Sequence, residues 1–203
     1  MKFFRDKIED SITLPPPPIS DEDEVQEVKV IIANRTAENV ESIKNHDQEP
    51  FYAIRKVCEK QGLVFHPNEF DQIIDESVSI IKHFKDHFNR KRPIEVDKTL
   101  NTLPSKTNKT PSYPSGHAVQ SVLIARYVAG KFPQHEKQLI EAAYECGLGR
   151  VQAGFHYPSD FTSGNLLGEK MYVLMNPIPF REAKDPAKDK RISFKNLSET
   201  LKI

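Results

Sequence analysis

Apolar positions recur along this chain at helical intervals. The most regular stretch spans about 67–90, where Phe70, Ile73, Ile74, Val78, Ile81, Phe84 and Phe88 follow one another in helical register. That spacing puts them on one face of a long helix, with Pro93 as its stop. Val25, Val28, Ile32, Val40 and Ile43 form an earlier stripe, interrupted near Asn34. Ser20 stands as its N-cap, and Asp21, Glu22 and Asp23 place negative charge in the first turn, where the helix dipole favours it. Phe51, Ile54, Val57 and Cys58 mark a short helix ending at Gly62. Val119, Val122, Leu123 and Val128 mark another over about 115–131, stopped by Pro133. Two more are read over about 134–154 and 158–175. No repeat and no strand-like alternation is visible. The pattern predicts an all-α, single-domain bundle of five to seven helices.

The ends differ from the body. Residues 1–19 read as an N-terminal arm whose four prolines, 15–18, form an extended connector. Residues 20–176 carry the helical domain, and 177–203 a charged tail with a short helix over 194–201. Residues 94–113 read as a long polar loop, a kind of segment that is often functional inside compact domains.

Composition narrows the function classes. At 203 residues there is room for one sizeable core. Lys plus Arg equals Asp plus Glu at 29 each, which argues against a general nucleic-acid binder. Cys58 and Cys146 have neither metal-ligand spacing nor a disulfide framework, and a reduced pair is expected. The first ten residues lack a signal-peptide core, and no apolar run approaches the ~20 residues of a membrane span. The expectation is a soluble, cytoplasmic protein.

The chemistry lies in three pieces. Lys85 is followed by Arg92-Pro93, supplying a point charge and a planar fork suited to phosphate oxygens. Taken alone, the segment from Lys82 to Arg92 reads as a solvated basic cluster. Pro114-Ser115-Gly116-His117 opens a helix, where free backbone N–H groups and the dipole favour an anion. Gly116 permits close backbone approach, and Ser115 is either a hydroxyl donor or simply an N-cap. His117 stands on the first turn, placed to give a proton to a leaving oxygen. Arg150, His156 and Asp160 follow, with Pro158 at the first position of the last helix. Asp160 can reach back to one imidazole nitrogen and leave the other free to attack phosphorus, or the pair is only a structural hydrogen bond.

Together and in this order, the three pieces resemble the superfamily of type 2 phosphatidic-acid phosphatases, class A bacterial acid phosphatases and vanadium-dependent haloperoxidases. The resemblance covers roughly residues 68–175 and implies that family's α-helical bundle. It implies that His156 is the nucleophile that becomes a phosphohistidine, that Asp160 orients it and that His117 protonates the leaving group. It also implies that Lys85, Arg92, Arg150, Ser115 and Gly116 hold the phosphoryl oxygens, with no metal and no cofactor. Gly149 departs from the serine that many members have before the third-motif arginine, which puts one local hydrogen bond in doubt.

The expected activity is hydrolysis of phosphomonoesters or pyrophosphate bonds in a small phosphorylated substrate, with vanadate as an inhibitor. Two alternatives stay open: a haloperoxidase with vanadate as cofactor, and a non-catalytic phosphate-binding protein. A homo-oligomer is also left open. His83 and His87 are spaced like a metal pair, but Lys85 lies about 200° round the helix from each, so they face away from the site. His46, His66 and His135 are expected at the surface, and Lys98, Lys106 and Lys109 as solvated loop charges.

Overall fold

The computed structural model describes residues 2–18, 20–64, 67–105 and 107–175. Lys106, His66, the tail and the helix expected over 194–201 lie outside these residues. Among the described residues there are eight α-helices and no strand, one helix more than the upper expectation. They are α1 (Asp21–Ala33), α2 (Ala37–Gln48), α3 (Tyr52–Gln61), α4 (Pro67–Phe88), α5 (Pro93–Val96), α6 (Gly116–Lys131), α7 (Glu136–Gln152) and α8 (Pro158–Val173).

The extra element is α5. Pro93 does not stop the long helix. Asn89, with φ 44°, turns the chain out of α4. Pro93 then opens α5, its fixed φ suiting the first helical position. Ser20 caps α1 as expected, accepting from the Asp23 N–H at 3.2 Å. The break near Asn34 separates α1 from α2, which Thr36 and Asn39 open with a reciprocal capping box.

Helix α6 is the axis of the bundle. Ala118, Val119, Val122, Leu123, Ile124, Ala125 and Val128 are buried, so it is apolar on nearly every side and needs neighbours all round. Helices α4, α7 and α8 supply them. On α4 the buried face is Phe70, Ile73, Ser77, Ile80, Ile81 and Phe84, while Val78 of the expected stripe is exposed. Ser77 takes its place by donating to the Ile74 carbonyl at 2.6 Å, which satisfies a buried hydroxyl.

Close backbone contact joins α6 to α8. A Cβ at Gly164 would fall 2.6 Å from the Ser115 carbonyl oxygen, and one at Gly168 would fall 2.9 Å from that of Val119. Glycine at both places lets the two helices meet. That contact brings the start of α6 beside the start of α8, and the Ser115 N–H donates to the Asp160 carbonyl at 3.0 Å.

The N-terminal segment lies on the body. Phe3, Phe4, Ile8, Ile12 and Leu14 are buried in the main core. Glu76 of α4 accepts from the Phe3 and Phe4 N–H groups at 2.8 and 3.0 Å. Further along, the Pro15 carbonyl accepts from the Tyr113 hydroxyl. The segment is thus tied down at both ends of its apolar stretch.

Candidate active site

The turn from α7 into α8 sets His156 and Asp160. Gly154 makes the turn at φ 79°, where a side chain would be strained. Pro158 opens α8, and Asp160 in its first turn accepts from the Tyr157 N–H at 3.0 Å. The same oxygen, Oδ2, accepts from His156 Nδ1 at 3.0 Å and from the Ser112 hydroxyl. Oδ1 accepts from Arg90 at 2.8 Å. Asp160 is fully buried, and each of its oxygens has a donor.

Arg90 was not singled out by the sequence. Its guanidinium donates to Asp21 at 2.8 Å, Glu24 at 2.6 Å, Ser159 at 2.7 Å and Asp160, and it stacks 3.8 Å from the Tyr157 ring centroid. The acidic first turn of α1 therefore does more than suit the helix dipole. It neutralises the arginine that holds Asp160.

The three cations singled out by sequence are brought to one place. Lys85, near the end of α4, donates to the carbonyls of Pro111 and Ser112. Arg92 donates to the carbonyls of Thr110 and Phe155, each at 2.9 Å, and reaches His156 Nε2 at 3.1 Å. A guanidinium can only donate, so Nε2 carries the lone pair and Nδ1 the proton facing Asp160. That is the tautomer a nucleophilic Nε2 requires. Arg150, on α7, donates to Asp47 at 2.6 Å and to Thr107 at 2.8 Å.

The second motif lies against Lys85 and Asp160. Ser115 stands at the N-cap position of α6, but its side chain makes no capping bond and its buried hydroxyl has no partner among the described residues. His117 Nε2 and Arg150 Nε are likewise buried without one. A Cβ at Gly116 would make only ordinary contact, 3.6 Å from Ile81 and 4.0 Å from Lys85. Packing within the chain does not require glycine there. The side chain it omits would stand beside Lys85.

Burial sets the protonation states. Burial first, and then Arg92, Lys85 and Arg150, hold His156 well below the usual imidazole range. Burial, Arg150 and His156 do the same to His117, against the opposing pull of Asp47. Lys85 is pushed down to about 7 by burial and by Arg92. Burial raises Asp160 against the opposing pull of Arg90. Both cysteines are buried free thiols, with Cys58 raised to about 11 and Cys146 to about 12 by burial.

Some expectations change. His46 is buried, its Nδ1 3.0 Å from the Ser42 carbonyl and its ring edge-on to Tyr52. His83 and His87 are both exposed on α4, away from Lys85. Among the described residues no three His, Cys, Asp or Glu side chains are grouped to hold a metal ion. Gly149 has a packing reason, since a Cβ there would fall 3.1 Å from Ile43 of α2. Sequence reasoning missed Asp47, Arg90, Thr107 and Ser112. None has a motif spacing, and each reaches the site through a tertiary contact.

The described residues thus form a helical bundle in which a buried His–Asp pair lies beside Lys85 and Arg92, near the N-terminus of α6. The profile of the PAP2 superfamily matches residues 74–183, and the chain belongs to that superfamily. It is 31% identical over 98 residues to a non-specific acid phosphatase of Salmonella typhi, covering 47% of this chain and 39% of that one. With a non-specific acid phosphatase of Providencia stuartii it is 26% identical over 143 residues, 68% of this chain and 58% of the relative. The chain thus spans about two fifths to three fifths of these relatives' length. In fold it is similar to the first transmembrane PAP2-type phosphatidylglycerolphosphate phosphatase from Bacillus subtilis, with TM-score 0.53 and 21% identity over 75% of this chain and 82% of that one. Among the described residues here, no helix is long and apolar enough to cross a membrane.

Proposed function

We propose that this protein is a phosphatase that hydrolyses phosphomonoesters or pyrophosphate bonds of small phosphorylated substrates through a phosphohistidine at His156. The observation that carries this reading is the pair of hydrogen bonds on the His156 ring, Asp160 at Nδ1 and Arg92 at Nε2. Membership of the PAP2 superfamily and the acid phosphatase relatives support it.

Substrate phosphate draws Arg92 onto its own oxygens and uncovers the Nε2 lone pair. Nε2 attacks phosphorus, a P–N bond forms, and the P–O bond to the leaving group breaks. The leaving oxygen takes its proton from His117. The arriving dianion raises the affinity of His117 for that proton, since an opposite charge favours the charged form. Asp160 stabilises the imidazolium as it forms. Water then attacks phosphorus, gives a proton to His117, and releases inorganic phosphate and neutral His156. Lys85, Arg92, Arg150 and the Ser115 hydroxyl stabilise the charge on the transferring oxygens, so this chemistry calls on no metal or cofactor. Vanadate, which can adopt the five-coordinate geometry, inhibits in this reading.

The test is release of phosphate from an aryl phosphate in the presence of a chelator, beside His156→Ala. The wild type turns over, the variant loses about 10⁴-fold or more, and a rapid quench traps phosphate on His156. An active His156→Ala variant would remove the nucleophile assignment.

A further inference from the structure

Asp47, at the end of α2, lies outside the three motifs yet meets the site. Its Oδ1 accepts from Arg150 at 2.6 Å, from Ser105 at 2.7 Å and from Thr107 at 3.0 Å. Thr107 also takes the other terminal nitrogen of Arg150 at 2.8 Å, and the Phe155 ring lies 4.5 Å from the guanidinium carbon. Each outer nitrogen of Arg150 is thus held by one hydrogen bond, one to α2 and one to the loop. Nε is the nitrogen that is buried with no hydrogen-bond partner among the described residues.

Charge adds a second argument. Arg90 meets three carboxylates, Asp21, Glu24 and Asp160, and has no charge left over for an anion. Among the described residues, Arg150 is the one of the three anion-facing cations with a carboxylate ion pair. With Lys85 protonated, Asp47 trims those three cations to a net charge that balances a phosphate dianion. Without it the site would hold its own product more tightly.

We propose that Asp47 is a positioning residue that aims Arg150 Nε at the bound phosphoryl group and limits the site's positive charge so that inorganic phosphate can leave. This rests on the phosphatase reading. Ile43, one turn before Asp47, packs against Gly149, one residue before Arg150. The glycine that departs from the family pattern thus lets α2 approach closely enough to deliver the carboxylate.

The same carboxylate acts on His117. The charged and titratable groups facing that ring are Arg150 of α7, His156 of the following turn and Asp47 of α2, with Lys85 of α4 beside Gly116. Of these, Asp47 favours the protonated imidazole, so its removal makes His117 harder to protonate.

The experiment pairs Asp47→Asn with Thr107→Val, using calorimetric binding of inorganic phosphate and the pH profile of aryl phosphate turnover. Asp47→Asn keeps an acceptor oxygen for Arg150 but removes the charge. Phosphate should bind about tenfold more tightly, kcat should fall, and the alkaline limb of kcat/KM should move down by about one pH unit. Thr107→Val keeps the charge and frees one nitrogen of Arg150. Phosphate should bind about threefold more weakly, with the limb unmoved.

Weaker phosphate binding or an unmoved limb in Asp47→Asn would overturn the proposal, leaving Asp47 a structural brace. Wild-type binding in Thr107→Val would overturn the aiming role. Thr107 lies on an exposed loop, so that variant decides even if Asp47→Asn fails to fold. Phosphate binding is read without turnover. A protein that hydrolyses nothing but shows both binding shifts keeps this inference and loses the phosphatase reading.

Discussion

Two buried arginines lie near the same histidine–aspartate pair, Arg90 bonded to Asp160 and Arg150 acting on His156 only through its charge, and their surroundings differ. Arg90 and Arg150 are equally hidden, each with 2% of its side chain exposed. Arg90 has every nitrogen engaged and meets three carboxylates. Arg150 meets one carboxylate and keeps Nε without a protein partner. Burial therefore does not distinguish a structural arginine from one available to a ligand. Unspent hydrogen-bond capacity does, because a guanidinium with all its donors committed has nothing left to offer an anion.

The sharpest way to break this contrast is to remove each arginine in turn. Arg90→Ala strands Glu24 and the fully buried Asp160 without their counter-ion, and should cost roughly 3–5 kcal/mol in chemical denaturation. A loss below about 1 kcal/mol would mean that the cluster is held by other contacts. Arg150→Ala leaves Asp47, whose side chain is 20% exposed and can take up water, so its stability should fall much less. Its kcat/KM should instead drop about 10²- to 10³-fold, the usual cost of one donor to a developing oxyanion. Equal stability losses in the two variants would erase the distinction.

Lys85 sharpens the comparison from the other side, because it can lose its charge near neutrality and the arginines cannot. Its ammonium is pushed down to about 7, and His117 lies well below the usual imidazole range. In the proposed mechanism both must be protonated, to bind the anion and release the leaving group, while His156, also held low, is already neutral. The optimum of kcat/KM should fall on the acid side of 6.5, with about a tenfold loss for each pH unit above the pKa of His117. Lys85→Arg should remove the further loss near pH 7 and leave the His117 limb in place. An optimum above pH 8 would contradict these protonation states.

Most of the fold was legible in the sequence because it rests on local rules. Ser20, Gly62 and Pro158 each bound a helix as their chemistry requires, and the apolar stripes of α4 and α6 follow from periodicity. The miss at Pro93 has a local cause too: proline both ends and begins helices, and Asn89 had already turned the chain. The site was legible as far as its motifs extend. Lys85, Arg92, Ser115, Gly116, His117, Arg150, His156 and Asp160 are neighbours in the fold, whereas Asp21, Glu24 and Asp47 read as ordinary acidic residues. Asp47 meets a partner 103 positions away and Glu24 one 66 away, separations at which no spacing rule operates. His46 was misplaced for the same reason, since nothing in its polar flanks announces the Tyr52 ring beside it.

The strap formed by residues 3–15 has a consequence for how the chain folds. The carboxylate that anchors Phe3 and Phe4 is 73 and 72 positions further on, and the tyrosine that grips Pro15 is 98 positions beyond it. The apolar side chains of Phe3 and Phe4 join a cluster built largely from α4 and α6. The strap is thus placed only after distant helices have come together. Its docking closes a loop around nearly half the chain, a non-local step of the kind that slows folding.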